Sequence, residues 1–156
     1  MLTAAQMPIL RPLPLRPGDP RRVWEVMEIW RYCEYPAIDP MIIRPPFLTD
    51  LASIPVIFSN IISPSGYLFL AGFLHDHVYK YQYIWTERTD AEGNARLIKY
   101  WMGREQADRL FGEIANISYP EQWLMTKVAK GALAVGGWKA WNDHRKKDDF
   151  DLNRRV

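Results

Sequence analysis

Cysteine is almost missing from this chain: Cys33 is the only one in 156 residues. A single thiol excludes an intramolecular disulfide framework and a cysteine-built zinc centre, and it fits a reducing compartment. No stretch supplies the ~18 consecutive apolar residues of a transmembrane helix, so no membrane span is expected. At the N-terminus no basic segment precedes a long apolar run, and no signal peptide is expected. A surplus of one charge is lacking too. Twenty Lys and Arg against eighteen Asp and Glu leave a formal +2, too little to predict a nucleic-acid partner. The glycine patterns of phosphate loops and dinucleotide folds are absent, as is the nucleophile elbow of serine hydrolases, and those readings fall with them.

What is present fits one globular domain with a workable core: 48% hydrophobic and 24% charged residues. The aromatic load is high, with seven Trp, eight Tyr and six Phe. Such residues serve cores and partner surfaces alike. Five of the twelve prolines (Pro8, Pro12, Pro14, Pro17 and Pro20) fall in the first twenty residues. They exclude a regular helix or central strand there. Residues 1–21 are therefore predicted as a proline-rich extended arm, 22–145 as a single α+β domain, and 146–156 as a charged C-terminal tail.

Within the domain, Val23 to Tyr32 is rich in β-formers, with Trp24, Val26, Trp30 and Tyr32 on one parity. That predicts a strand buried on one face and partly covered on the other by Val23, Met27 and Ile29. The breakers Pro36, Asp39 and Pro40 precede Met41-Ile42-Ile43-Arg44, a returning strand, so a small hairpin or sheet is expected. In the stretch 47–55, Thr49, Asp50 and Ser53 suit local backbone capping; alternatively, Asp50 points into a site formed by the later helices. A helix is predicted over Tyr67–Tyr81, with Ser65 as its N-cap and apolar residues on most sides, as in a buried helix. The segment from Gln82 to Asn94, polar at its far end with Glu87, Asp90, Glu92 and Gly93, reads as an exposed loop or flap whose aromatic start, Tyr83-Ile84-Trp85, either folds over the site or closes the core. Ala107, Leu110, Phe111, Ile114 and Ala115 make an i, i+3, i+4 stripe, predicting a second helix over 103–117 that Pro120 ends. A third runs from Glu121 to about Arg145, facing inward with Leu124, Val128, Ala132 and Val135. Its glycines Gly131, Gly136 and Gly137 imply either close packing or a kink.

The chemistry concentrates in Phe73-Leu74-His75-Asp76-His77-Val78-Tyr79, which holds two of the three histidines. Residues at i and i+4 share a helical face, so His75 and Tyr79 point the same way and Asp76 projects elsewhere. His77 points away from His75, toward the surface or a supporting position. A carboxylate on the facing helix would fix the tautomer of His75 and make it a general base. Asp108 is the candidate, with the Tyr79 hydroxyl steadying it and Asp76 free for a metal ion or for polarising substrate. A structural hydrogen-bond network is the competing reading. A metal phosphohydrolase of the HD type needs a histidine upstream of His75, and there is none.

Four motifs in order, Phe47-x-Thr49-Asp50-Leu51-Ala52-Ser53-Ile54-Pro55, His75-Asp76-x-x-Tyr79, Ala107-Asp108-x-x-Phe111 and Gly137-Trp138-x-x-Trp141, resemble the DUF1353 family of tailed bacteriophages and prophages. The likeness spans residues 23 to 142. It implies a phage origin, production in the host cytoplasm, and candidacy for the virion; it implies no activity. The pair His75-Asp76-x-x-Tyr79 and Ala107-Asp108-x-x-Phe111 is also similar to the two-helix core of secreted and parvoviral phospholipases A2. That likeness implies that His75 activates water, that Asp76 binds Ca2+, and that Asp108, aided by Tyr79, orients His75. The glycine-rich calcium loop of that family has no match here, and calcium prefers six to eight oxygens. Asp50 becomes a second ligand only if 47–55 folds back beside Asp76.

The expectation is thus an α+β fold: a small N-terminal β-hairpin or sheet, then a three-helix body with a phospholipase A2-like helix pair. The expected function is a His/Asp-dyad hydrolase acting on an ester or amide bond of a lipid or of the cell envelope. The alternative is a non-enzymatic virion or tail-associated protein. Its proline arm and aromatic surface would pack against other phage proteins.

Overall fold

The computed structural model describes residues 7–15, 23–38, 40–49 and 68–152, with side chains described as far as residue 146. Among the described residues five short strands come first: β1 (Leu10–Pro12), β2 (Trp24–Val26), β3 (Trp30–Tyr32), β4 (Met41–Ile43) and β5 (Leu48–Thr49). Helix α1 (Phe69–Tyr81) follows, then the hairpin β6 (Tyr83–Thr89) and β7 (Ala95–Trp101). Helix α2 (Arg104–Ser118), a single 3-10 turn (Pro120–Gln122) and helix α3 (Trp123–Leu152) complete an α+β fold. The strands make two antiparallel sheets, β1-β2-β5 and β3-β4-β6-β7.

The run from Trp24 to Tyr32 is not one strand but two, one in each sheet. The amides of Val26 and Met27 donate to the carbonyls of Phe47 (2.9 Å) and Ile9 (3.0 Å) on opposite neighbours. The chain then bends at Glu28 and restarts pairing at Trp30. The inward parity survives the break, since Val26, Trp30 and Tyr32 are buried. The outward parity is barer than expected: Met27 is 40% and Ile29 55% exposed. Met41–Ile43 returns against β3 as expected, pairing Trp30 with Ile43 and Tyr32 with Met41. In the proline-rich segment, Leu10–Pro12 is the edge strand of its sheet, the place where a missing amide donor is tolerated.

The predicted loop at Gln82–Asn94 is instead most of a β-hairpin. Ile84 and Thr86 are buried while Tyr83, Trp85 and Glu87 face the other way, the period-2 pattern of a half-buried strand. Its turn is held by Asp90, whose Oδ1 accepts from the amides of Glu92 (3.1 Å) and Asn94 (2.8 Å). Gly93 sits at φ 85°, a left-handed position that favours glycine. Of the acidic residues of this segment, Asp90 and Glu92 belong to the turn and Glu87 to β6.

Helix α1 is the centre of the fold, with every residue from Phe69 to Tyr79 buried. It begins at Phe69 with Leu68 at the N-cap and no side-chain cap; Ser65, the predicted cap, lies outside the described residues. It ends where Gln82 turns left-handed (φ 62°) and returns its amide to the Val78 carbonyl at 2.8 Å. On α2 the buried face is the predicted stripe, Ala107, Leu110, Phe111, Ile114 and Ala115. Gln106 Oε1 accepts from the Gly103 amide at 2.9 Å and fixes the start of the helix.

Helix α3 faces the core with a different stripe from the one predicted. Thr126, Ala129, Leu133 and Gly137 are buried, whereas Leu124 (58%), Val128 (45%) and Val135 (79%) are exposed. Small residues face inward because α3 must approach α1 closely. A Cβ built on Gly137 would lie 2.5 Å from the Tyr79 hydroxyl. Arg145, near the far end of α3, donates to the carbonyls of Tyr79 and Lys80, at 2.7 Å each, and so satisfies two C-terminal carbonyls of α1.

Candidate active site

Three consecutive polar residues on α1 serve three different elements. His75 turns to α2, Asp76 to β5 and His77 to β6. Successive helical positions are about 100° apart, so a helix enclosed on all sides offers each residue its own neighbour.

His75 Nε2 lies 3.0 Å from Asp108 Oδ1, and the Tyr79 hydroxyl donates to the same oxygen at 2.5 Å. The other oxygen, Oδ2, accepts from Arg104 Nη1 at 3.2 Å, an i, i+4 pair along α2. The His75 side chain has no exposed surface, whereas that of Asp108 is 18% exposed. The imidazole stacks obliquely on Tyr79, with ring centroids 3.9 Å apart, and meets the edge of Phe111 at 5.6 Å.

Burial pushes the Asp108 carboxyl up. The hydrogen bonds from His75 and Tyr79, with the charges of His75 and Arg104, outweigh that and hold it below the ordinary carboxylate range. Burial, followed by the Asp108 contact, pushes the Tyr79 phenol far above its ordinary value, so it remains a donor. An ionised carboxylate accepts only, so the His75 proton facing it sits on Nε2. In neutral His75 the lone pair is then on Nδ1. That Nδ1 is buried and has no hydrogen-bond partner.

The predicted trio of His75, Asp108 and Tyr79 is therefore assembled. Asp76, 7% exposed, stands apart from it, and its Oδ2 accepts from the Thr49 hydroxyl at 2.6 Å. Asp50, the other expected metal ligand, lies outside the described residues. Among the described residues no group of three or more His, Cys, Asp or Glu is placed to hold a metal ion. His77 is not on the surface. It is 3% exposed, its Nδ1 is 3.1 Å from the Tyr83 carbonyl, and Phe47, Tyr81 and Tyr83 surround the ring. Burial lowers its pKa to about 4, so it is neutral near pH 7.

Several contributors do not follow from the trio itself. Arg104 precedes Asp108 by one helical turn, a spacing that signals an ion pair once Asp108 is singled out. Gly137 and Trp141, also one turn apart, clamp Tyr79. The glycine gives its hydroxyl room, and the indole meets the phenol edge-on at 5.2 Å. Gly137 and Trp141 of the fourth sequence motif thus form the wall behind Tyr79, while Trp138 is exposed. Thr49, which reads as a local cap, reaches across to Asp76 instead, and nothing in its immediate sequence signals that.

No curated protein and no solved structure matches the chain. The family model described as "Protein of unknown function (DUF1353)" matches residues 24–127. That stretch contains His75, Asp76, Tyr79 and Asp108 and stops short of the Gly137–Trp141 clamp. The chain belongs to the DUF1353 family.

Proposed function

We propose that the protein is a hydrolase in which His75, oriented by Asp108, is the general base that activates water against an ester or amide bond. The observation that carries this reading is the state of His75: Nε2 engaged by an ionised carboxylate, and Nδ1 buried without a partner. A histidine kept for structure is best served by hydrogen bonds at both nitrogens. Leaving a buried polar atom unmade costs about 1–3 kcal/mol, and such exceptions gather where a group has other work. In the proposed step a water proton passes to Nδ1 as the water oxygen bonds to the carbonyl carbon. The carbon–oxygen or carbon–nitrogen bond then breaks, and the proton passes from Nδ1 to the leaving group. Asp108 stabilises the transient imidazolium, while Tyr79 and Arg104 keep Asp108 in place.

The substrate class, a lipid or a cell-envelope polymer, rests on the likeness of the two motifs to the phospholipase A2 core, and the phage setting rests on the four-motif likeness. Calcium enters on the same likeness, with Asp76 and Asp50 as its carboxylates. Within the described residues only Asp76 supplies one, and Thr49 already occupies one of its oxygens. That falls short of a calcium shell, so no step here depends on the ion.

A second reading, a non-enzymatic virion or tail-associated protein, has its own observations. His75 is wholly enclosed, and α3 exposes Leu124, Val128, Val135 and Trp138, a face suited to another subunit. The experiment that separates the two is turnover of fluorogenic phospholipid vesicles and of envelope ester and amide substrates, with and without calcium. It compares the wild-type chain with His75→Gln. The dyad reading expects turnover that falls at least ~100-fold in the variant at unchanged fold. No turnover by the wild type, with an unfolded His75→Gln, hands the case to the structural reading. Calcium titration of the wild type, Asp76→Asn and Asp50→Asn tests the ion separately; unchanged affinity in both variants removes those residues as ligands.

A further inference from the structure

On the side of α1 facing away from Asp108, a cavity of about 320 Å³ opens between the α1–β6 junction and the end of β4. It is lined by Arg44, Pro45, Pro46, His77, Tyr81, Tyr83 and Trp85. Its size is that of a small-molecule site.

Its walls have a specific chemistry. Tyr81, Tyr83 and Trp85 are half-buried, and Tyr83 meets Tyr81 at 6.0 Å and Trp85 at 5.4 Å between ring centroids. Arg44 lies over the Trp85 ring at 5.5 Å. Lys99, opposite Trp85 in the hairpin but not in the cavity lining, stands 4.3 Å from the Tyr83 centroid and 5.3 Å from that of Trp85. Both cations are exposed, and no carboxylate among the described residues forms an ion pair with either. Glu87, on the same face of β6, is engaged by Arg31. In the wall, His77 has its Nδ1 directed at the Tyr83 carbonyl. A carbonyl only accepts, so Nδ1 carries the proton and Nε2 remains an acceptor. The features converge on a planar ring to stack, a negative charge for Arg44, and an N–H or O–H donor for His77.

We propose that this cavity binds a small aromatic anion of the nucleoside monophosphate kind, with the base stacked on Trp85 and Tyr83 and the phosphate held by Arg44. The site is separate from the His75–Asp108 dyad, and it stands or falls without it. Aromatic faces accept any base, and a guanidinium suits phosphate. A free mononucleotide and a terminal residue of a single strand offer the same chemistry. The cavity's size favours the free molecule.

The test is calorimetric titration of the full chain with adenosine and uridine monophosphates, the two nucleosides, inorganic phosphate and a six-residue single-stranded oligonucleotide. The Trp85 indole NMR signal is followed in parallel. The expected result is mononucleotide binding that shifts this signal, with nucleoside and phosphate each at least ~10-fold weaker. Arg44→Met, at an exposed position, should bring the nucleotide down to the affinity of the nucleoside. Trp85→Leu should lose at least ~10-fold for nucleotide and nucleoside alike, and Trp85→Phe should recover most of it. The assignment is overturned if nucleotides do not bind at millimolar concentration, or if phosphate alone binds as well. It is also overturned if Arg44→Met and Trp85→Phe bind like wild type while Trp85→Leu is unfolded. An oligonucleotide preferred more than its six residues account for statistically would assign the site to a strand and overturn the small-ligand proposal.

Discussion

Gly136 and Gly137 are neighbours on α3, and replacing each with alanine should change stability in opposite directions. A Cβ at Gly136 meets nothing within 4 Å. Gly136→Ala should therefore show only the helix-propensity gain of about 1 kcal/mol. A Cβ at Gly137 would lie 2.5 Å from the Tyr79 hydroxyl oxygen, closer than real Cβ contacts come. The phenol cannot swing aside cheaply: Tyr79 is fully buried, its hydroxyl is bonded to Asp108, and Trp141 backs its ring. Overpacking of this kind costs about 1–3 kcal/mol. Displacing a hydrogen bond to a charged group adds about 1.5–3 kcal/mol. Against a gain of about 1 kcal/mol, Gly137→Ala should be net destabilising by about 1.5–5 kcal/mol. Thermal and urea unfolding would measure both variants, at about 2–4 °C of Tm per kcal/mol for a chain of this size. A cycle with Tyr79→Phe isolates the cause. Without the hydroxyl, the nearest atom to the new Cβ is the ring carbon at 3.5 Å, an ordinary contact. Most of the Gly137→Ala penalty should then vanish. If both alanines stabilise alike, or if the penalty at Gly137 is unchanged in the Tyr79→Phe background, the clamp is wrong.

Acidification should weaken the fold through His77. Its folded pKa of about 4 lies below the ordinary 6.5, so the unfolded chain takes up the proton first. The contribution, about 3 kcal/mol, is complete above pH 6.5 and is lost as pH falls toward 4. Urea unfolding at steps across that range should show the slope, and a folded His77→Gln variant should flatten it. Asp108 is depressed below the usual carboxylate value, so its loss comes at lower pH still and does not blur the window. Thr49→Val removes the hydroxyl held by Asp76 and should cost about 1.5–3 kcal/mol in the same assay, with little change in secondary structure. Arg145→Met deletes two bonds to the last carbonyls of α1 and should cost about 1–3 kcal/mol. Hydrogen exchange should then rise at the C-terminal turn of α1 before the rest of that helix; unchanged exchange would mean that α3 does not support it.

Much of the site was legible because helical spacing is a strong constraint. His75 and Tyr79 share a face at any i, i+4 pair, and the stripe on α2 fixed which side of that helix turned inward. Asp108, beside Ala107 and one turn from Phe111, was thereby placed at the boundary of the buried face. The β6–β7 hairpin was less legible because the charged residues of its turn mask the alternation of Ile84 and Thr86 with Tyr83 and Trp85. The inward face of α3 is not legible for another reason. Hydrophobicity usually marks the buried side, but here the need for close approach put Ala129 and Gly137 inside and left Leu124 and Val135 out.

By itself, the sequence determined the α+β order of the chain, the helix carrying His75 and Tyr79, and the presence of a partner helix bearing Asp108. These follow from local periodicity, which the backbone imposes wherever the chain folds. Tertiary structure alone decided that Asp108 is shared by His75, Tyr79 and Arg104, and that His75 Nδ1 remains without a partner. It also sent Asp76 to Thr49 and His77 to the Tyr83 carbonyl. Adjacent side chains on a helix differ by about 100° in direction, but what each direction meets depends on segments distant in sequence. The same three-residue run, His75-Asp76-His77, therefore became parts of three separate environments.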